Sequence, residues 1–284
     1  MCAKLFIPPS PDDINDQVVT PLTFTAEEDG SSFGIRNEGW NTPHIQYSLD
    51  EGNTWTNMPY DTIIHLEHKG DKTLLRGYNL NGFSENEQRY TSFIIQSGAI
   101  AASGNVMSLI HGERGSRKIP SRFCFYRLFY ACENLTQAPE LPATLLRSNC
   151  YEEMFCKCTN LKEAPQLPAV LLDNYCYARM FRECANLTEA PELLEPSLRK
   201  NCYEEMFMDC SKISKITVNF TKWVKQVSIH VTFKYKERDD EFFYQFTQGW
   251  LSGVAPNGTF ICPKGLPKEF GESRIPEGWT IIKN

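Results

Sequence analysis

Clustered positive charge and long apolar runs are both missing from this 284-residue chain. The net charge is −6 and no run of lysine and arginine occurs. This argues against nucleic acid as a partner, because phosphate binding needs concentrated basic side chains. The chain has no stretch of about 18 apolar residues, so we predict no transmembrane segment. Residues 1–20 also lack the apolar region of a signal peptide, which leaves open a trimmed export signal or a protein that is not exported by that route.

Sequence signatures of catalysis and metal binding are lacking as well. There is no phosphate-binding loop, nucleophile elbow or His-Glu-x-x-His motif. His65 and His68 lie three residues apart on a predicted strand, which puts them on opposite faces. The cysteines have no Cys-x-x-Cys spacing, which disfavours a zinc site. We therefore predict a protein that is not an enzyme and that uses no cofactor and no metal.

A 26-residue phrase occurs four times between Phe123 and Ile213, and the four copies align without a gap. Each copy has two cysteines, a leucine or methionine, a phenylalanine, and a closing leucine or isoleucine. The five columns are Cys124, Cys150, Cys176 and Cys202; Cys132, Cys158, Cys184 and Cys210; Leu128, Met154, Met180 and Met206; Phe129, Phe155, Phe181 and Phe207; and Leu135, Leu161, Leu187 and Ile213.

Within the second copy, Cys150, Met154 and Cys158 recur every four residues, which predicts one face of a short helix. Glu152 and Glu153 would then face water. Two prolines follow the second cysteine and exclude a helix there, so we predict a short extended segment. A phenylalanine and three tyrosines, at 125, 151, 177 and 203, follow the first cysteine of each copy. Their spacing to the phenylalanine column favours core packing over an exposed aromatic ladder for glycans.

One copy is too small to bury a core of its own, so the copies are expected to stack as a solenoid. Eight of the eleven cysteines fill two columns of this stack, and buried cysteine behaves as a small apolar residue. Both columns are therefore predicted to be inward thiols. Disulfides between adjacent copies would be geometrically allowed but are the less favoured alternative.

The phrase resembles a known family. Residues 154–168 read Met-Phe-x-x-Cys-x-Asn-Leu-x-x-Ala-Pro-x-Leu-Pro, and residues 180–193 repeat most of it. This is similar to the cysteine-bearing leucine-rich repeat of BspA-like bacterial surface proteins. The resemblance implies a curved leucine-rich repeat solenoid that serves as a binding surface on a cell surface or in a secreted protein. It does not identify a ligand, because such scaffolds bind many partners.

Short alternating runs separated by turn residues precede the repeats and predict a small β-sandwich over 21–97. The six predicted strands are 22–26, 32–35, 44–49, 62–66, 73–78 and 90–95. Residues 48–55 match the Ser-x-Asp-x-Gly-x-Thr-Trp pattern of the Asp-box hairpin, which is also found in carbohydrate-active proteins. We interpret it as structural, because Asp50 and Gly52 build the turn and Trp55 packs beneath it.

The chain is thus predicted to be mixed and β-rich, with five parts. They are a flexible tail at 1–20, the β-sandwich at 21–97, a small-residue linker and N-terminal cap at 98–122, four repeat coils with a short strand and a short helix each at 123–217, and a C-terminal β-hairpin and cap at 218–284. The hairpin is expected to turn at 237–240. Its strand residues are Val227, Ile229, Val231, Phe233 and Tyr235, then Phe242, Tyr244 and Phe246.

Two polar columns on the extended segments are the predicted binding site, for a partner protein or glycan of unknown identity. They consist of Gln137, Glu163 and Glu189, and of Glu140, Gln166 and Glu192. Stacking would align them as a mostly acidic stripe. The leading interpretation of function is adhesion or binding at the bacterial surface. The alternatives are a phage or virion accessory protein made without export, and a carbohydrate-active enzyme, which rests on the Asp-box alone.

Overall fold

The computed structural model describes residues 18–40, 43–114, 116–223, 232–233, 236–237 and 246–284. Over these residues the protein is β-rich and has a single four-residue helix, α1 (Ser108–His111). The β-rich prediction is confirmed. The sheets are open, and they are built from both local hairpins and pairings between distant segments.

Two sheets pack against each other in the N-terminal part. Their strands are β1 (Leu22–Ala26), β2 (Ser31–Asn37), β3 (Ile45–Ser48), β4 (Thr56–Asn57), β5 (Ile63–Leu66), β6 (Lys72–Gly77), β7 (Thr91–Ser97), β8 (Ile100–Ser103) and β9 (Leu135–Gln137). One sheet has the order β4-β3-β6-β1-β8-β9 and the other β5-β2-β7. Phe24 of the first sheet contacts Phe33 and Phe93 of the second, with ring centroids 4.7 and 5.0 Å apart. All six predicted strands are present, and the arrangement is compatible with a sandwich.

The stretch predicted to be a flexible linker contains an inner strand. Strand β8 pairs antiparallel with β1 and parallel with β9, so one sheet runs from the sandwich into the first repeat copy. The linker prediction is wrong here because the small residues of 100–103 fit a buried strand between two others. Helix α1 follows and buries Ser108, Leu109 and Ile110.

Successive repeat copies are joined by a regular ladder of backbone hydrogen bonds. In the first copy, the amides of Phe125 and Phe129 donate to the carbonyls of Cys150 and Met154 in the second, at 2.9 Å. The same bonds recur from the second copy to the third and from the third to the fourth. Each copy is therefore joined to the next copy by backbone hydrogen bonds.

The short helix predicted in each copy is wrong. Arg127, Glu153, Arg179 and Glu205 have φ between 49° and 55°, and other residues four positions away along each copy are also left-handed. Amides alternate in use, one donating to the next copy and the next donating three residues back. In an α-helix, every amide beyond the first turn would donate to a carbonyl of the same copy, four residues back. A four-residue turn period places side chains at i, i+4 and i+8, as a helix does, so the sequence pattern does not separate the two.

Aromatic rings form two parallel stacks through the copies. Phe129, Phe155, Phe181 and Phe207 are spaced by 5.4 to 5.7 Å, and Phe93 of the sandwich extends this stack at 5.4 Å. The second stack contains the aromatic residues at 125, 151, 177 and 203, which are buried. Core packing of this column is confirmed, and the sandwich caps one end of both backbone ladder and ring stack.

The cysteine columns face inward as free thiols. All ten cysteines in the described residues are buried and unpaired. In the second column, the Cys158 thiol donates to the Phe129 carbonyl at 3.1 Å, and Cys184 does the same to Phe155. Burial raises the pKa of Cys150 and Cys210 to about 12. The thiols therefore fill the interior and join adjacent copies.

At the other end, a segment after the fourth copy continues the ladder. Tyr203 and Phe207 donate their amides to the carbonyls of Phe246 and Trp250. Gly249 and Gly253 have φ of 57° and 75°, which is the left-handed conformation. In the earlier copies, the equivalent left-handed positions are occupied by residues other than glycine, such as Glu205 and Asp209. Glycine adopts it without a steric penalty. The end segment thus keeps the backbone form of the copies.

A parallel sheet closes this end of the series of copies. Strands β10 (Lys215–Thr217), β13 (Thr259–Cys262) and β14 (Thr280–Lys283) pair in that order. The short strands β11 (Thr232–Phe233) and β12 (Lys236–Glu237) pair antiparallel. Glu237 therefore lies in a strand and not in the predicted turn. Phe233 lies in strand β11, as predicted for this hairpin position, and Phe246 is also described. The other predicted hairpin positions lie outside the described residues.

Candidate functional site

All six residues of the predicted stripe are exposed. Glu163 and Glu189 lie opposite each other in a parallel bridge between copies, and Gln137 ends β9 one copy earlier. The column continues with Lys215, whose ammonium lies 4.0 Å from the Glu189 carboxylate. The side chains at these positions are thus displayed in register on neighbouring rungs. Sequence reasoning left out the lysine, although it occupies the next place in the column.

The second stripe column starts beside the sandwich. The Glu140 amide donates to the Gly104 carbonyl at 2.8 Å, and the Glu140 carbonyl accepts from Val106. At the far end, Glu192 borders a small surface cavity of about 230 Å³, together with Asn219 and Asn284. The column is therefore fixed by backbone bonds at its start and opens onto a shallow depression at its end.

A second polar surface, formed by the turn segments, was not predicted. The column Arg127, Glu153, Arg179 and Glu205 alternates in charge from copy to copy. Arg127 Nε lies 2.7 Å from Glu153 Oε2, and Arg179 Nε lies 3.0 Å from Glu153 Oε1. Glu153 thus bridges two arginines, one copy away on each side. Aligning the four copies would have revealed this alternation of sign.

Arg179 is the centre of this network, which we call the Arg179 cluster (Arg179, Glu152, Glu153 and Glu204). Its guanidinium contacts Glu152, and its Nη1 lies 2.9 Å from Glu204 Oε1. Burial lowers the pKa of Arg179, but the three carboxylates outweigh this and raise it overall. Ala178 occupies the column of Glu152 and Glu204, so its small side chain leaves room for the guanidinium. The cluster joins the second, third and fourth copies.

The expectation that Glu152 and Glu153 face water is wrong. The Glu152 side chain is 2% exposed and the Glu153 side chain 10%. Burial raises the pKa of Glu152 to about 7, against the opposing effects of the Asn149 amide at 2.5 Å and of Arg179. A buried carboxyl of this kind is held by its partners and not by solvent. These glutamates stabilise the copy interfaces, and the exposed stripe lies on other positions.

The Asp-box hairpin is held together by its own side chains. Asp50 accepts hydrogen bonds from the Thr54 amide at 2.9 Å, the Thr54 hydroxyl at 2.7 Å and the Ser48 hydroxyl at 2.7 Å. The bonds from Thr54, followed by that from Ser48, lower the pKa of Asp50. Gly52 has φ of 90°, and Trp55 lies beneath it and stacks on Arg76 at 3.9 Å. Each of these hydrogen bonds stabilises the turn, in agreement with a structural role for the Asp-box.

The remaining candidates do not form a site in the described part of the chain. His65 is exposed on β5 and His68 follows it in a loop. Across the residues that the structure describes, no three histidine, cysteine or acidic side chains are grouped as metal ligands. Within those same residues, no helix has the length and apolar character to cross a bilayer.

Comparison with known proteins adds no relative: no family matches the chain, and no similar protein is found among curated sequences or solved structures.

Proposed function

We propose that this chain is a non-enzymatic binding protein of a bacterial cell surface or of the secreted fraction. In this proposal the four copies are coils of a leucine-rich repeat solenoid of the BspA-like type. The stripe of Gln137, Glu140, Glu163, Gln166, Glu189 and Glu192 recognises a protein or glycan. The observation that carries the proposal is the display of these exposed side chains in register on backbone-bonded rungs.

The physical argument is one of preorganisation. The rungs are joined to their neighbours by backbone bonds and by stacked rings, so the stripe is held before a partner arrives. Binding to such a surface loses little backbone entropy, which favours affinity. Carboxylates and amides offer acceptors and donors at a spacing of about 5 Å, the separation of neighbouring strands. A chain of regularly spaced donors, in a peptide or a sugar, fits that spacing.

Binding tests should compare the wild type with a stripe variant, Glu163→Gln, Glu189→Gln and Glu192→Gln, on arrays of glycans and of extracellular proteins. The matched control removes three exposed glutamates from the N-terminal part, Glu27→Gln, Glu51→Gln and Glu67→Gln. We expect the stripe variant to lose at least tenfold in affinity for a spot that the wild type binds. The control variant should stay within about twofold.

Equal losses in both variants would contradict recognition by the stripe, and so would a wild type that binds nothing on either array. The glycan spots are also analysed for released products. Any turnover would contradict the non-enzymatic proposal and favour the carbohydrate-active alternative.

A second candidate, a phage or virion accessory protein, is favoured by one observation. The ten described cysteines are buried thiols without a disulfide, which suits folding in a reducing compartment. This chain would then be found in purified particles and not on the cell surface, and immunolabelling of intact cells separates the two candidates.

A further inference from the structure

Aromatic and cationic side chains alternate on a surface where the sandwich meets the first repeat copies. We call it the aromatic–cationic patch, and it comprises Trp40, Arg89, Tyr90, Phe123, Arg127 and Tyr130. On the sandwich side, Trp40 is 77% exposed, and the Arg89 guanidinium lies 3.1 Å from the centre of its ring. A single exposed aromatic ring is common on protein surfaces, so the evidence for a binding site is the contiguous cluster of rings and cations around it.

The backbone around these two residues is fixed. The Trp40 amide donates to the Glu85 carboxylate at 2.9 Å. The amides of Glu85 and Asn86 both donate to the Arg89 carbonyl, and the Asn86 side chain accepts from the Gln88 amide. A tight turn therefore presents Arg89 against Trp40.

On the repeat side, one arginine lies among three tyrosine rings. The Arg127 guanidinium carbon is 5.2 Å from the Tyr90 ring, 5.1 Å from Tyr126 and 4.7 Å from Tyr130. Tyr90 packs edge-on against Tyr126 at 5.7 Å, which connects the sandwich to the first copy. Phe123 packs against Tyr126 in the same way at 5.6 Å. The rings are thus packed together across the junction, with Tyr126 buried beneath Tyr90 and Phe123.

Further cations border the patch, and a groove extends from it. The Arg122 guanidinium lies 5.7 Å from the Phe123 ring, and the Lys157 ammonium 5.9 Å from the Tyr130 ring. Beyond Tyr130 lies a groove of about 490 Å³, lined by the cations Arg127, Lys157, Arg179 and Arg182 and by the carboxylates Glu153, Glu183 and Glu205. The patch and groove together offer room for several residues of an extended ligand.

Flat aromatic faces and guanidinium groups are complementary to different parts of a sugar acid. The ring faces accept the apolar C–H face of a pyranose, and arginine and lysine donate charge-assisted hydrogen bonds to carboxylate or sulfate. We propose that the aromatic–cationic patch binds an acidic glycan, with Trp40 and Tyr130 as stacking surfaces and Arg89 and Lys157 as anion contacts. This deepens the proposed function by adding a site and a ligand class, and it rests on that function.

The test measures binding of the full chain to heparin, polygalacturonate and dextran, which are sulfated, carboxylated and neutral glycans. The variants are Trp40→Ala and Tyr130→Ala. The matched control is Phe270→Ala, since Phe270 is also exposed and its ring also lies beside a cation, Lys268, at 5.3 Å. Thermal unfolding confirms that each variant is folded.

We expect the wild type to bind at least one acidic glycan and to bind dextran at least tenfold more weakly. Trp40→Ala and Tyr130→Ala should each lose at least fivefold in affinity, and Phe270→Ala should stay within twofold. Unchanged binding in both patch variants overturns the proposal, as does equal affinity for dextran. Equal affinity for single-stranded DNA also overturns it, because the surface would then be a general polyanion site.

The stripe variant separates this proposal from the proposed function. If glycan binding is lost in the stripe variant and kept in the patch variants, the patch fails and the binding function stands. If neither acidic glycan binds while a protein spot is recognised through the stripe, only the patch proposal is overturned.

Discussion

Replacing Arg179 with leucine is expected to lower the free energy of unfolding by about 3–5 kcal/mol at pH 8. The guanidinium contacts carboxylates of two copies, and the Glu152 side chain is almost fully buried. Removing the arginine leaves buried negative charges without their main partner, which costs more than the pair itself contributes. Urea denaturation measures the change.

The matched control is Arg147→Leu, because Arg147 is an exposed arginine of the first copy. We expect that substitution to change the unfolding free energy by at most about 0.5 kcal/mol. An Arg179→Leu variant as stable as the control would contradict the cluster and leave the copies joined by backbone and rings alone. A triple variant that also replaces Glu152 and Glu204 with leucine should recover part of the loss.

The stability of the protein should depend on pH through Glu152. Its pKa is about 7 in the folded protein and near 4.5 as an ordinary glutamate. Between pH 4.5 and about pH 7, the Glu152 carboxyl is protonated in the folded state and ionised in the unfolded state. The stabilisation is therefore complete below pH 4.5 and disappears as pH rises through 7. A shift of this size corresponds to about 3 kcal/mol.

The measurement compares the wild type with Glu152→Gln, which keeps the shape and cannot ionise. Urea denaturation at pH 5, 6, 7 and 8 should show the wild type losing about 2–3 kcal/mol more than the variant over this range. The other titrating groups are the same in both proteins, so their contributions to the pH dependence cancel when the two unfolding free energies are subtracted. Parallel pH curves would mean that Arg179 keeps Glu152 ionised throughout.

Much of the fold could be predicted from the sequence. Alternation and turn residues gave the six sandwich strands, because strand and hairpin signals are local. The two cysteine columns and the phenylalanine column gave buried positions of the copies, because a gapless repeat shows which positions are equivalent.

The errors arose where different conformations give the same sequence pattern. Cys150, Met154 and Cys158 recur every four residues in a helix and in the left-handed turn series alike. The choice between them depends on whether amides bond within a copy or to the next one, which is a long-range effect. Strand β8 was missed because Ala101 and Ala102 have weak strand propensity alone, and pairing on both sides determines their conformation.

The candidate functional residues likewise include some whose environment the sequence predicts and some whose environment it does not. The exposure of Gln137, Glu163 and Glu189 followed from their places in the repeat. The burial of Glu152 and Glu153 could not be read from one copy, since their arginine partners lie about one copy away in sequence. The aromatic–cationic patch depends on Tyr90 meeting Tyr126 and Arg127 of the first copy, a contact between segments that no repeat pattern encodes.

The most direct test of the central claim, that adjacent copies stack rung on rung in register, is an engineered disulfide. Glu163→Cys and Glu189→Cys place thiols on bridged residues, where the Cα separation of neighbouring strands, about 5 Å, permits a disulfide. Gln137→Cys with Glu189→Cys is the control, because two rungs, about 10 Å, do not. The native thiols are buried and are not expected to react under mild oxidation. Mass spectrometry should then find the first pair linked by a disulfide and the control pair still reduced. Equal linkage in both variants, or none in the first, would contradict the stacked arrangement.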